Sequence, residues 1–263
     1  MPCAVLDDRA VLAVTGPDAR PFLQGLLTAD LGRLAPGHAL WAGLLSPQGK
    51  ALFDMLLVDD GAGGVLIDCE AVQADALARR LGLYRLRRAV SIDRRPELAV
   101  MAAWGAAAAG AGPADPRLPA LGARWTGPPV PGDATAGDYR RHRMALGVPE
   151  GVAELGQDRT LWLEANAAEL GGVSFTKGCY VGQENTARMH HRDRVRRRLL
   201  PVRLDGDPGM ATELRAGDRV AGELRARDGD LGMAWLRLEL AQGRLHVGDA
   251  TAEPLWPAWL PAP

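Results

Sequence analysis

The strongest constraint on the fold is a change of texture near residue 195. Upstream of it, strand and helix patterns alternate in mixed order; downstream, short apolar runs broken by Gly and Asp follow one another without a helical period. Residues 9–15 (RAVLAVT) read as a strand. Gly16-Pro17-Asp18 then offers turn chemistry and an N-cap, and Phe22, Leu23, Leu26 and Leu27 form the apolar stripe of a helix ending near Leu31-Gly32. Two apolar runs, 40–45 and 51–58, are joined by Ser46-Pro47-Gln48-Gly49-Lys50, the chemistry of a tight hairpin turn. A strand at 64–69 leads into a helix at 71–82 carrying Val72, Leu77 and Leu81, followed by strands at 89–93 and 98–104. Residues 138–146 are helical in character and stop where Pro149 forbids continuation. This order fits an α+β fold better than a doubly wound one. The runs at 198–204, 219–225, 232–240 and 244–247 indicate a small all-β barrel, so the chain divides into an α+β region, 1–195, and a C-terminal β-barrel domain, 196–263. The proline-rich tail is expected to pack Trp256 and Trp259 back onto the barrel. Residues 105–119, rich in Ala, Gly and Pro, are expected to form a mobile surface loop.

Composition removes several function classes. With 31 basic and 32 acidic side chains the net charge is −1, so no whole-molecule field draws nucleic acid or membrane. No stretch approaches the ~18 consecutive apolar residues of a membrane span. Three widely spaced cysteines, Cys3, Cys69 and Cys179, argue for a reducing compartment. The N-terminus carries acids where a signal peptide has a basic start, and a cytoplasmic location is expected. The Gly61-Ala62-Gly63-Gly64 cluster precedes a strand and opens no helix, so it is not a dinucleotide fingerprint. Phosphate-loop and His-Glu-x-x-His motifs are missing, and no metal site is expected.

Cysteine chemistry concentrates at Lys177-Gly178-Cys179-Tyr180-Val181-Gly182-Gln183-Glu184. Gly178 and Gly182 free the backbone for positive φ or close approach to a ligand. The polar run 182–188 suits the first turns of a helix, with acid early and base late, which puts Cys179 just before a helix N-terminus. That setting, with Lys177 two residues away, favours a thiolate. From chemistry alone, a structural cysteine in a tight turn and a reactive thiol both remain open. Cys69, at a strand end beside a helix, reads as packing.

Two further groups stand out. Arg188, Arg192, Arg194, Arg196, Arg197, Arg198 and Arg203 face a single acid, Asp193, with His190 and His191 among them. Around Asp193-Arg194 the run is expected to turn into a strand, Arg196 and Arg198 sharing a face, with the adjacent histidines on opposite faces of a strand and not a metal pair. Either a solvated face or a patch for carboxylates or phosphates fits. Glu164 lies inside an apolar run, as a surface acid or as a carboxylate accepting an N–H pair.

The octapeptide resembles the signature of the YgfZ-type folate-binding proteins, whose mitochondrial counterparts assist late iron-sulfur cluster assembly and which are related to the aminomethyltransferase of glycine cleavage. The segments GPDARPFLQGLLTADL, LLSPQGKALFDMLLV, YRLRR, LEANAAELGGVSF and GELRARDGDLGMAWLRLE are similar too, so the resemblance covers most of the chain. It implies aminomethyltransferase-like mixed lobes around a central channel for tetrahydrofolate, with a terminal β-barrel. It implies Cys179 and Lys177 as the working pair, and Glu164, Asp54, Gln183, Glu184 and Arg188 as the residues that hold the cofactor, Glu164 gripping the pterin. Where the aminomethyltransferases carry Asp-Asp, this chain has Phe53-Asp54, which removes a proton acceptor of a kind typically worth ~10²–10⁴ in rate.

The expectation is therefore a monomeric, folate-dependent accessory protein for assembly or repair of iron-sulfur enzymes, including radical enzymes that modify tRNA. Its partners would be client enzymes or cluster carriers. A folate-dependent one-carbon transferase is the alternative. Direct nucleic-acid binding is not expected, since no aromatics interleave the arginines.

Overall fold

The computed structural model describes residues 2–191 and 195–261. The chain opens with β1 (Cys3–Val5), β2 (Arg9–Thr15) and a short helix α1 (Ala19–Gln24), then forms the hairpin β3 (Leu40–Leu45) and β4 (Ala51–Asp59) and continues with β5 (Val65–Glu70), α2 (Ala74–Arg85) and β6 (Ser91–Arg94). These strands make a five-stranded antiparallel sheet in the order β3-β4-β5-β2-β6. One face is covered by α1 and α2: Leu12 and Val14 of β2, Met55 and Leu57 of β4 and Ile67 of β5 close on Phe22, Leu23, Leu77 and Leu81. Alternate residues along each strand supply this face, as the two-residue period of a strand requires.

Next come β7 (Ala99–Ala103), β8 (Ala123–Gly127), α3 (Ala136–Ala145) and α4 (Gly151–Leu155). β1 and β8 flank β7 in a second, three-stranded sheet. α3 lays Tyr139 against Val11, Val100 and Ala102, which ties this sheet to the back of the first. Thr135 and Asp138 start α3 with a reciprocal capping box.

After α5 (Gln183–His191) the strands β9 (Arg197–Asp205), β10 (Glu213–Ala216), β11 (Arg219–Asp228), β12 (Leu231–Arg237), β13 (Leu245–Val247) and β14 (Ala250–Pro254) close into a barrel in the order β10-β11-β12-β9-β14-β13. Closure leaves no unpaired sheet edge. The barrel core is aliphatic, and Trp256 and Trp259 of the tail pack against it, Trp259 donating its indole N–H to the Leu146 carbonyl (2.8 Å). A central cluster containing Trp41, Trp162, Leu56, Met144, Leu199 and Met233 joins hairpin, α3 and barrel.

Four expectations are corrected. α1 stops at Gln24 instead of reaching Leu31-Gly32, so Leu26 and Leu27 are buried from the segment that follows the helix. Val72 is 81 % exposed and belongs to a 3₁₀ turn before α2, so the apolar stripe consists of Ala74, Leu77 and Leu81. Segment 105–119 is not a loose surface loop: it buries Asp115 and Arg117 in an ion network at the lobe junction. There Glu150 accepts from Arg117 (2.5 Å) and Arg124 (2.8 Å) and lies 3.7 Å from Arg9 and 3.9 Å from Arg143, while Asp68 takes Arg9 and Arg124 (2.7 Å each) and Glu154 takes Arg143 (2.6 Å). The histidines, finally, end α5 and lie on no strand; His190 stacks on Phe175 with ring centroids 3.7 Å apart. The turn expected at Asp193-Arg194 lies outside the described residues.

Candidate functional site

The octapeptide is a loop clasped from two sides. Gly178 (φ +88°) and Gly182 (φ +83°) adopt the left-handed backbone that favours glycine. At Gly178 the surroundings are open, whereas a Cβ at Gly182 would collide with the Ser46 carbonyl and Leu45. The loop thus sits directly on the hairpin turn between β3 and β4. Asn185 Nδ2 donates to the Gln48 carbonyl (2.9 Å), fastening the start of α5 to the same turn. Gln183 Oε1 accepts from the Tyr180 N–H (3.1 Å), closing the loop on itself.

The second clasp is Lys177. Its ammonium donates to the carbonyls of Gln24 (2.6 Å), Leu27 (2.6 Å) and Ala29 (2.9 Å), which use all three of its N–H donors. Burial pulls its pKa down to about 8, with Asp30 opposing. Buried Thr28 continues the seam: its hydroxyl donates to the Gly172 carbonyl (2.6 Å) and accepts from the Gly43 N–H (2.8 Å), while its carbonyl accepts from the Ser174 N–H (2.9 Å). Lys177 therefore acts as a tether between the octapeptide and the segment after α1. Cys179 itself is solvent-exposed, four residues before α5.

The remaining nominated residues do not converge on it. Asp54 is 5 % exposed; one oxygen accepts from the Gly151 N–H (3.1 Å), and the other is buried without a protein donor beside a cavity of about 10 Å³ lined by Phe53, Cys69, Glu70 and Val152. Burial raises its pKa, Arg9 opposing and Glu150 reinforcing. Glu164 is buried, and its Oε2 accepts both the Trp235 indole N–H (3.0 Å) and the Leu161 N–H (3.2 Å). Burial raises its pKa as well, against these two bonds. Glu184 and Arg188 are exposed on α5, Arg188 donating to Asn185 (3.0 Å). Arg198 is taken up by Asn166 (2.8 Å) and Glu169 (2.6 Å), so the strand face it shares holds an internal ion pair. Cys69 is buried and its thiol is pushed up to about 12 by burial, in keeping with packing.

An open groove of about 660 Å³ lies on the hairpin turn: Ser46, Pro47 and Gln48 form one side and Arg79, Arg80 and Leu83 of α2 another, with Phe53 between. None of the nominated folate residues lines it. A pterin held by both oxygens of Glu164 does not fit the observed geometry, because Oε2 already carries two donors.

The family model "CAF17, C-terminal beta-barrel domain" matches residues 196–262. The human "Iron-sulfur cluster assembly factor IBA57, mitochondrial" is 42 % identical, the alignment covering 93 % of this chain and 80 % of the relative. Its mouse counterpart is 36 % identical over 95 % and 82 %.

The chain belongs to the IBA57 family.

Aminomethyltransferase T of the glycine cleavage system from Bartonella henselae superposes with a TM-score of 0.70 at 14 % identity, covering 99 % of this chain and 86 % of that one, which shows an aminomethyltransferase-like fold. Membership of the IBA57 family narrows the YgfZ resemblance to the branch of its mitochondrial counterparts. It also overturns the cytoplasmic expectation, since these IBA57 proteins are named as mitochondrial. Scarce cysteines separate reducing from oxidising surroundings; they do not tell one reducing compartment from another.

Proposed function

We propose that this protein is an accessory factor for iron-sulfur cluster assembly or repair in which Cys179 is the thiol that meets a cluster carried by a partner. The observation that carries this is an exposed cysteine on a loop fixed by the three Lys177 bonds, the Asn185–Gln48 bond and the close seat of Gly182 on the hairpin turn. A thiolate so presented can ligate iron or exchange with another thiolate. Among the described residues no group of three or more His, Cys, Asp or Glu side chains lies together as a metal site. Clusters are typically held by about four cysteines, so the other ligands come from a cluster carrier or client enzyme. Radical enzymes that modify tRNA are the client class in this reading, and the protein works as a monomer.

Tetrahydrofolate has a narrower foothold. Glu164 is the acid that would hold the pterin, but among the described residues only its Oε1 is without a protein donor. The one-carbon transferase alternative has no feature in its favour: Phe53 replaces one acid, and Asp54 is sealed under the Gly151 N–H.

The test is a strain whose only copy carries Cys179→Ala. Growth and the activity of cluster-dependent enzymes should fall, and full activity would remove the thiol from the mechanism. Calorimetry with tetrahydrofolate on wild type and Glu164→Ala decides the folate half separately.

A further inference from the structure

The C-terminal turn of α2 has a composition that neither the core nor the Cys179 loop explains. Leu83 is 69 % exposed and Leu86 is 87 % exposed, and around them stand Arg79, Arg85, Arg87 and Arg88, all at the surface, with half-buried Arg80 over the Tyr84 ring (5.8 Å). None of these five arginines has a carboxylate partner among the described residues, whereas Arg9, Arg117, Arg124, Arg141, Arg143, Arg159 and Arg198 all do. Leu86 ends the helix at φ +47°, ψ −116°, a backbone that costs a branched side chain energy and that glycine would adopt freely. A leucine held there with almost its whole side chain in water contributes little to folding.

The groove of about 660 Å³ begins at this turn. Leu83, Arg79 and Arg80 form one wall, Phe53, Leu52 and Pro47 supply apolar lining, and Asp158 is the single acid in the wall. Its far side is the hairpin turn on which the Cys179 loop rests. Arg is enriched at protein interfaces, and exposed apolar side chains beside it mark surface that a partner can cover. Single-stranded nucleic acid would call for exposed aromatic stacking platforms, and the exposed apolar side chains here, Leu83 and Leu86, are aliphatic.

We propose that the α2 turn and its groove are the docking surface for an acidic segment of the partner protein. Its carboxylates pair with Arg79, Arg85, Arg87 and Arg88, and its apolar side chains cover Leu83 and Leu86 and enter the groove toward Phe53. The proposal rests on the reading of Cys179 as the thiol that meets a partner's cluster: a partner seated here is held by the same hairpin turn that carries the thiol.

The experiment uses the full-length protein and a fluorescein-labelled synthetic helical peptide of glutamate and leucine as probe, read by anisotropy. Saturable binding that weakens with salt is expected, with at least a tenfold loss of affinity in Arg85→Ser/Arg87→Ser/Arg88→Ser and in Leu83→Ser. Leu86→Gly, which suits the backbone and so leaves the fold intact, should weaken it also. Equal binding by these variants, or no binding by wild type, overturns the proposal. So does tighter binding of a single-stranded oligonucleotide than of the peptide, or self-association through this face in sedimentation. Cys179→Ser should bind the peptide like wild type. If the arginine triple variant still supports cluster-dependent enzymes fully while Cys179→Ser does not, the docking surface falls and the thiol's role stands; the reverse pattern removes the thiol and keeps the surface.

Discussion

The lobe junction and the octapeptide loop both gather charge, and they use it in opposite ways. At the junction Arg9, Arg117, Arg124 and Arg143 are sealed with Asp68, Asp115, Glu150 and Glu154, each cation against an acid. Burial works against the charged form of Glu150, yet Arg124, Arg9, Arg117 and Arg143 hold its carboxyl well below the usual carboxylate range. In the loop the one cation, Lys177, has its three N–H donors taken by carbonyls instead of a carboxylate, and the thiol two residues on is left bare. Matched buried charges specify how lobes fit together. A loop whose cation is already satisfied keeps its shape while its reactive atom stays available to another molecule.

That contrast gives an order of effects. Glu150→Gln removes the acid from the centre of four guanidiniums and should cost about 3–5 kcal/mol, seen as a large fall in the urea midpoint. Lys177→Met strips three carbonyls of their donor and should cost about 2 kcal/mol; hydrogen exchange should rise first at residues 24–31 and 172–185, and an unchanged pattern there would show that the tether is not structural. Gly182→Ala forces a positive φ on alanine and a Cβ toward the Ser46 carbonyl, at about 1–3 kcal/mol, with the loosening confined to the loop and the hairpin turn.

Asp54→Asn is smaller and depends on pH. Burial raises the Asp54 pKa above its unfolded value, so the folded chain binds the extra proton. The group therefore favours folding fully below its unfolded pKa, and that favour is lost as pH rises through the folded pKa. The stability of Asp54→Asn relative to wild type should then be highest at neutral pH and shrink as the pH falls toward 4, which denaturant titrations at several pH values would check.

Much of the fold was legible because it repeats locally. The hairpin turn at 46–50, the two-residue period of β2 and β5, and the short runs of the barrel each announce themselves within about ten residues. β1, β8, β10 and β14 are not legible in the sequence, being only three to five residues long, the last two mostly polar or small. The junction was illegible for a different reason: Arg9, Asp68, Arg117 and Glu150 are far apart in sequence, and Arg117 lies in a stretch whose Ala, Gly and Pro content looks like a loop. The octapeptide announces its positive-φ glycines and its helix start, whereas its chemistry alone fits a structural cysteine as well as the exposed thiol that is found. The role of Lys177 could not be read, because the backbone carbonyls it binds belong to every residue alike. Nor could the Trp235 bond that occupies Glu164, which comes from a strand 71 positions away.

Cys179→Ser is expected to leave the urea midpoint unchanged, since the side chain is exposed and supports no packing. The decisive measurement is native mass spectrometry of wild type and Cys179→Ser, each mixed anaerobically with a cluster-loaded carrier protein. A cluster bridging carrier and wild type, and missing with the serine variant, is the predicted result; an equal amount of bridged cluster with both would contradict the role of the thiol.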